Sequence, residues 1–265
     1  IVGGQASPFS SANPSVYKTV EHWDGATWTY SSDFTNGFMT YPGQSGAGSQ
    51  NAGLIFGGFY SGSLYPASAP QRPAATETHK WDGVSWSGAS YMPTGFCDNA
   101  GDGTQNAAIS VFNATTATYD GTSWARQAVP IEGNNSRPYA GTQNAGIMMG
   151  GRSGNTPTSC TEEWNGSSWT AQAALANVRY RHAAVGTVND AVTYRGDTYN
   201  ENFDGTAWHR GAGLTYALKS SGGRGSSAGS MWSAGASSEA YGNWMQIFEE
   251  HYPTSASFGH INPSS

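Results

Sequence analysis

The chain has little charge. Asp, Glu, Lys and Arg make up only 11% of its 265 residues, and no Lys/Arg cluster occurs. A net charge of −6 without a basic patch argues against a surface built to neutralise phosphates, so nucleic acid is not expected as a partner. Cysteine is nearly absent too. Cys97 and Cys160 stand far apart, with no CxxC and no His pair nearby, which excludes a disulfide scaffold and a zinc site. They could form one bridge or be two separate thiols, and the spacing leaves both open. No apolar run approaches the roughly twenty residues that cross a bilayer as a helix, so no membrane span is expected. No signal-peptide pattern is visible and the first residue is not Met, so the chain is expected to be a fragment, a processed product or part of something longer.

What the chain does contain is glycine and aromatics: 36 Gly, 10 Trp, 14 Tyr and 10 Phe, with abundant Ser, Thr and Asn. That balance suits neither a helical protein nor a charge-rich disordered one. Aromatic rings packed on glycine and alanine can build a core, and the composition predicts an all-β protein.

Self-similarity is the strongest signal. Trp23-Asp24-Gly25-Ala26-Thr27-Trp28 recurs as Trp81-Asp82-Gly83-Val84-Ser85-Trp86 and as Tyr119-Asp120-Gly121-Thr122-Ser123-Trp124. It returns as Trp164-Asn165-Gly166-Ser167-Ser168-Trp169 and as Phe203-Asp204-Gly205-Thr206-Ala207-Trp208. A degenerate sixth copy is read in Phe248 to Phe258, so the closing aromatics fall at positions 28, 86, 124, 169, 208 and 258. Such a period belongs to four-stranded propeller blades. Asp-Gly between an aromatic and a Trp is a strong two-residue hairpin signal, which makes these the turns between third and fourth strands.

A second element precedes most copies. It reads Gly48-Ser49-Gln50-Asn51-Ala52-Gly53-Leu54-Ile55-Phe56-Gly57-Gly58, and again Gly141-Thr142-Gln143-Asn144-Ala145-Gly146-Ile147-Met148-Met149-Gly150-Gly151. Weaker versions begin at Gly103 and Gly186. Each sets a short polar turn between a small-residue first strand and an apolar second strand that ends in paired glycines, where the missing Cβ permits close approach or positive φ.

The opening Ile1-Val2-Gly3-Gly4 resembles the freed amino terminus of a trypsin-like serine protease. Such an enzyme needs His, Asp and Ser segments whose side chains converge, and none of those segments occurs. The repeat accounts for the tetrapeptide instead. It matches the tail of a second strand, so the chain is expected to enter its first blade partway through. Six third-fourth hairpins then accompany five first strands, the last at Gly222-Gly223-Arg224-Gly225. The missing inner strand is expected from residues outside 1–265 or from Gly259–Ser265.

The Gly-Gly doublets, the aromatic-Asp-Gly turns and the Trp after them resemble kelch and galactose-oxidase-like propellers over nearly the whole chain. The variant GTQNAG(apolar)GG followed by TEEWNGSSW is similar to kelch-like repeats in structural proteins of tailed bacteriophages, but it prefers Trp to Tyr before the turn and has uneven spacing. The expected fold is a single all-β domain over 1–265, a six-bladed β-propeller of four-stranded antiparallel blades, with seven if the chain is a fragment. Blade limits are set near 1–40, 41–95, 96–131, 132–175, 176–215 and 216–265. The resemblance implies a non-enzymatic structural or adhesion module at a virion surface, outside the cell, without cofactors. Its implied partners are other virion subunits and host surface glycans. A secreted or cell-surface carbohydrate-binding propeller and a propeller enzyme with an axial site are the alternatives.

In a four-stranded blade the first-second and third-fourth turns share one face, and here they are uniformly short. The other face receives the long insertions Gln5–Tyr17, Ser31–Ser45, Phe59–Ala74, Gly88–Asp98 and Ala125–Pro138. Length variation on one face of a rigid scaffold is what a binding surface shows. Phe59, Tyr60, Tyr65 and Arg72, in the longest of these loops, are the candidate contacts, since aromatics and Arg are favoured in interfaces. They could equally pack the loop onto its own blade.

Catalytic patterns are weaker. A galactose-oxidase-like copper site needs two Tyr and two His at the axis, yet of the histidines only His182 is expected on an inner strand. Arg137, Arg181 and Arg224 stand at or just before inner strands, as a sialidase-like Arg cluster would, although repetition favours a scaffold role. Asp98 and Asp102 hint at a calcium loop but lack the following Glu.

Overall fold

The computed structural model describes residues 2–6, 15–24, 26–33, 44–58, 74–95, 99–194, 199–213, 219–227, 230–236, 247–251 and 258–261. Every sheet is antiparallel. The first has three strands, β1 (Val2–Ala6), β2 (Ser15–Trp23) and β3 (Trp28–Asp33). The next has four, β4 (Gln44–Ser49), β5 (Ala52–Gly57), β6 (Thr78–Trp81) and β7 (Trp86–Gly88). Another four-stranded sheet holds β8 (Ala100–Thr104), β9 (Ala107–Phe112), β10 (Thr115–Tyr119) and β11 (Trp124–Gln127).

β12 (Tyr139–Gly141) and β13 (Gly146–Met149) follow, then a two-stranded hairpin of β14 (Arg152–Ser153) and β15 (Thr156–Pro157). β13 resumes its sheet with β16 (Thr161–Trp164) and β17 (Trp169–Gln172). The remaining four-stranded sheets are β18 (Ala183–Thr187), β19 (Asp190–Tyr194), β20 (Tyr199–Phe203) and β21 (Trp208–Gly213), and then β22 (Lys219–Ser227), β23 (Ser230–Ala236), β24 (Ile247–His251) and β25 (Phe258–Ile261). Each four-stranded sheet runs in chain order, the blade arrangement of a propeller.

The opening tetrapeptide falls in β1, which pairs with β2 as a second strand pairs with a third. Phe258–Ile261 pairs with β24 as the fourth strand of the last sheet, with His251 opposite Phe258. These residues are therefore not a spare inner strand for the first sheet.

The third-fourth hairpins differ from expectation in length. Trp81 pairs with Trp86, Trp164 with Trp169 and Phe203 with Trp208, so the loop holds four residues, not two. The Asp or Asn at the first loop position explains this. Asp82 Oδ1 accepts the N–H groups of Val84 and Ser85 at 2.9 and 2.7 Å, and Asp82 N–H donates to Ser85 O at 3.3 Å. A side chain that caps two backbone donors closes the wider loop on itself. The following glycine has φ of 98° at Gly83, 94° at Gly121, 93° at Gly166 and 91° at Gly205, a region that an L side chain enters only under strain. Gly25 lies outside the described residues.

The chain divides into two compact units, Ile1–Phe112 with Ala117–Arg126, and Asn113–Thr116 with Gln127–Ser265. In the first unit Ala47, Leu54, Phe56, Met92, Ala108, Ala117, Tyr119 and Trp124 form one buried cluster. Phe56 fits because Gly101 leaves room: a Cβ there would stand 2.7 Å from the Phe56 ring. In the second unit Ala140, Ile147, Met149, Leu175, Ala191 and Phe203 do the same. Met92 and Leu175 come from connections between sheets, so each connection is pinned by one buried apolar side chain.

The hairpin aromatics pair in one way throughout. Trp81–Trp86, Tyr119–Trp124, Trp164–Trp169 and Phe203–Trp208 have ring centroids 5.2, 5.1, 5.3 and 5.0 Å apart and are tilted by 42°, 36°, 41° and 40°. Such offset pairs contribute roughly 0.5–1.5 kcal/mol beyond area burial. Trp81 and Trp164 also donate Nε1 to Gln50 O and Gln143 O, each at 2.9 Å, which ties the hairpin to the Gln-Asn turn beside it.

Candidate functional site

Strand order puts the Gln-Asn and Asp-Gly turns at one end of each sheet and the second-third and fourth-first connections at the other. At the turn end the hairpin carboxyls are spent on local bonds. The carboxyls of Asp24, Asp82 and Asp120 are held below the ordinary range, chiefly by the backbone N–H groups of Thr27, Ser85 and Ser123. Asp204 is lowered to about 2, first by the N–H of Ala207 and then by His209, whose Nε2 lies 2.7 Å from Oδ2. Anions held this way are turn caps.

At the connection end the paired glycines set the geometry. Gly57 and Gly58 have φ of 70° and 99°, and Gly150 and Gly151 have 61° and 97°. The doublet turns the backbone so that Gly57 and Gly150 donate to Glu77 O and Cys160 O, while Gly58 and Gly151 accept from Ala75 and Thr158. The doublet thus recurs with the same geometry in two sheets.

Two buried ion pairs hold the connections of the second unit. Arg137 Nη1 meets Glu162 Oε1 at 2.5 Å, and Arg179 meets Glu201; all four side chains are nearly inaccessible. Glu162 also accepts the N–H groups of Ile131 and Glu132 at 2.6 and 3.2 Å, and Glu201 those of Ala176 and Asn177 at 2.7 and 3.4 Å. Arg137 donates further to Glu132 O and Met148 O, at 3.2 and 3.3 Å. Each carboxylate thereby pins one fourth-first connection, and each charge is compensated, as burial demands. Between the pairs lies His182, 5% exposed, with neither ring nitrogen bonded. Burial and then the charges of Arg179 and Arg137 push its pKa well below 6.5, so the ring is neutral.

The connections are joined to one another. Gly151 donates to Arg179 O, Arg152 and Asn135 exchange backbone bonds, and Arg181 donates to Ser136 O at 3.3 Å. Ser136 and Arg181 both have positive φ, 57° and 52°. The Arg152 guanidinium lies over the Tyr180 ring, 5.8 Å from its centroid. On this pinned surface Val129, Ile131 and Val178 are 60%, 57% and 55% exposed.

Of the residues singled out in the sequence, Phe59, Tyr60, Tyr65 and Arg72 lie outside the described residues, as do Cys97 and Asp98. Cys160 is a free thiol. Asp102 accepts the N–H of Gly103 in β8. The three arginines are not equivalent. Arg137 is buried and paired, but the partner of Glu201 is Arg179 rather than Arg181, which is partly exposed. Arg224 sits opposite Trp232 inside β22, beyond the register position of Arg137. His182 precedes β18 rather than lying on it. Glu162 and Glu201 were missed by motif reading. The signal was available, since both stand two places before the hairpin aromatic. Among the described residues no group of three or more His, Cys, Asp or Glu could hold a metal ion.

No family model matches the chain, and no curated protein does. The chain is similar to the solved structure of YjhT, with a TM-score of 0.73 and 11% sequence identity over 98% of this chain and 97% of that one. At that identity the likeness concerns the fold: an all-β propeller with four-stranded antiparallel blades. Solved chains that match number 208, and so populous a fold assigns no activity.

Proposed function

We propose that the chain is a non-enzymatic, kelch-like propeller of six blades that serves as a structural or adhesion module of a virion. Its second-third and fourth-first loops meet other particle subunits and host surface glycans. The observation that carries this reading is the placement of exposed apolar side chains. Tyr91, Val129, Ile131 and Val178, four of the six most exposed large apolar side chains among the described residues, stand on fourth-first connections. The connections bearing Val129, Ile131 and Val178 are fastened by Glu162 and Glu201, so the side chains are displayed by rigid backbone. Rigid display of apolar groups on a low-charge surface favours binding, because less ordering entropy opposes contact. The buried ionic groups support the same reading, since each carboxylate is engaged by a guanidinium and two backbone donors. Copy number on a particle would multiply weak single contacts.

A glycan array probed with the chain, as monomer and as a streptavidin-held tetramer, tests the proposal. The tetramer is expected to bind where the monomer does not. Substituting Ile131→Asp with Val178→Asp, or Phe59→Ala with Tyr60→Ala, should abolish the signal. Val84→Asp on the turn face should leave it unchanged. Absence of tetramer binding, or loss of binding only with the turn-face variant, rejects the reading. Cleavage or isomerisation of a bound glycan would support the axial enzyme instead.

A further inference from the structure

In four of the repeated hairpins the first loop residue is an aspartate; in the remaining one it is Asn165, followed by Gly166. The hairpin nevertheless treats the asparagine as it treats the acids. Oδ1 of Asn165 accepts the N–H groups of Ser167 and Ser168 at 3.0 and 2.9 Å. It also accepts the Ser167 hydroxyl at 2.9 Å and the Ser168 hydroxyl at 3.4 Å, so four donors converge on one amide oxygen. In the aspartate copies the hydroxyl at the fourth loop position goes to the other oxygen: Thr27, Ser85 and Ser123 all donate to Oδ2. Asn165 has an NH₂ there, which cannot accept, so its hydroxyls crowd onto Oδ1.

This arrangement favours one reaction. Donors aimed at a carbonyl oxygen stabilise the negative charge that develops when its carbon is attacked. The nucleophile adjacent to that carbon is the Gly166 backbone nitrogen. Among the described residues Gly166 N–H has no hydrogen-bond acceptor, and glycine brings no Cβ to obstruct approach. The geometry points to Asn165 as a site of self-modification in the folded protein. The Gly166 nitrogen gives its proton to solvent and bonds to Asn165 Cγ, the charge collects on Oδ1, and the amide nitrogen leaves as ammonia. Water then opens the five-membered imide. Opening at Cγ gives aspartate and opening at the backbone carbonyl gives isoaspartate; either way the balance is asparagine plus water to the acid plus ammonia, with no oxidant or cofactor.

The product matches its surroundings. A carboxylate restores an Oδ2 for the Ser168 hydroxyl, and the two N–H donors that lower the carboxyls of Asp82 and Asp120 are already in place. Opening at Cγ would bring this hairpin to the chemical state of the other four, and either opening adds one negative charge to the turn face.

The folded chain and the same chain in denaturant, incubated at one mildly alkaline pH, give the test. Peptide mass spectrometry reads amide-to-acid conversion at position 165 in each. Conversion is expected to run faster in the folded chain, and Ser167→Ala is expected to slow it several-fold there while leaving the denatured rate unchanged. That variant should fold, because Ala26 occupies the equivalent place in the first hairpin. The inference is overturned by a folded rate no higher than the denatured one, or by a folded rate indifferent to Ser167→Ala.

Discussion

Trp124 Nε1 donates to the Thr78 hydroxyl at 2.8 Å, a buried bond from the closing strand of one sheet to the third strand of the sheet before it. The relation recurs. Trp169 donates to Thr116 at 3.0 Å and Trp208 to Thr161 at 3.1 Å. Each threonine stands three places before its hairpin aromatic, so one position of the repeat supplies an acceptor and the last position of the next repeat supplies the donor. The two ends of the motif are thereby mutually dependent.

Removing the acceptor should therefore cost more than an average hydrogen bond. Thr116→Val keeps the shape but strands a buried indole N–H, and is expected to destabilise by about 1–3 kcal/mol. Trp169→Phe in the same background should add less than it does alone, because the stranded donor is then gone. Denaturant unfolding of both single variants and the double variant measures the coupling.

The next copy lacks this bond. Asn200 occupies the threonine position; it is fully buried and its side-chain amide has no partner. The register places Phe258 where the earlier copies have Trp, and phenylalanine has no N–H to give. Phe258→Trp is expected to stabilise by about 1 kcal/mol, a typical net value for one hydrogen bond. Asn200→Val should remove that gain, which thermal or chemical unfolding would show.

Breaking a buried ion pair on the connection end is expected to be severe. Glu162→Ala leaves the Arg137 guanidinium and the amides of Ile131 and Glu132 without their carboxylate, and should cost about 3–5 kcal/mol. Hydrogen exchange should accelerate at Ile131 and Glu132 before it does in β16. Unchanged protection there would mean that the carboxylate does not pin the connection.

Acid should act first through His182. The unfolded imidazole binds a proton near pH 6.5 and the folded one does not until well below that value. The unfolded state therefore holds more protons below pH 6.5, and stability falls as pH is lowered, by up to about 1.4 kcal/mol per unit. Groups facing His182 are Arg137 and Arg179, each in a buried pair with a glutamate. His182→Gln should flatten the stability profile below about pH 6.5. His79, whose pKa burial also lowers, adds slope of the same sign.

Much of this architecture could be read from residue order. The aromatic-Asp-Gly copies located the third-fourth hairpins, the Gln-Asn segments located the first-second turns, and small residues marked the inner strands. These features are local, set by what a few neighbouring residues can do. Loop length was misread because Asp-Gly suggests a two-residue turn, while the Asp82 carboxylate capping two amides produces four. Among the arginines before this inner strand, repeat position singled out Arg181 and passed over Arg179. The buried partner of Glu201 is nevertheless Arg179, while Arg181 has left-handed backbone and stays partly exposed. The Trp–Thr bonds join residues about forty to fifty positions apart, and their register becomes apparent only once the sheets are aligned.

The indole-to-hydroxyl bond also bears on how such a chain can change in length. Because three successive junctions carry the same donor on one side and the same acceptor on the other, a tandem duplication or deletion of a whole repeat among them would leave each of those junctions with a familiar partner. A partial one would not. That stretch is therefore most tolerant of gain or loss in steps of one full period, and Asn200 with Phe258 stands at a junction where that interchangeability has lapsed.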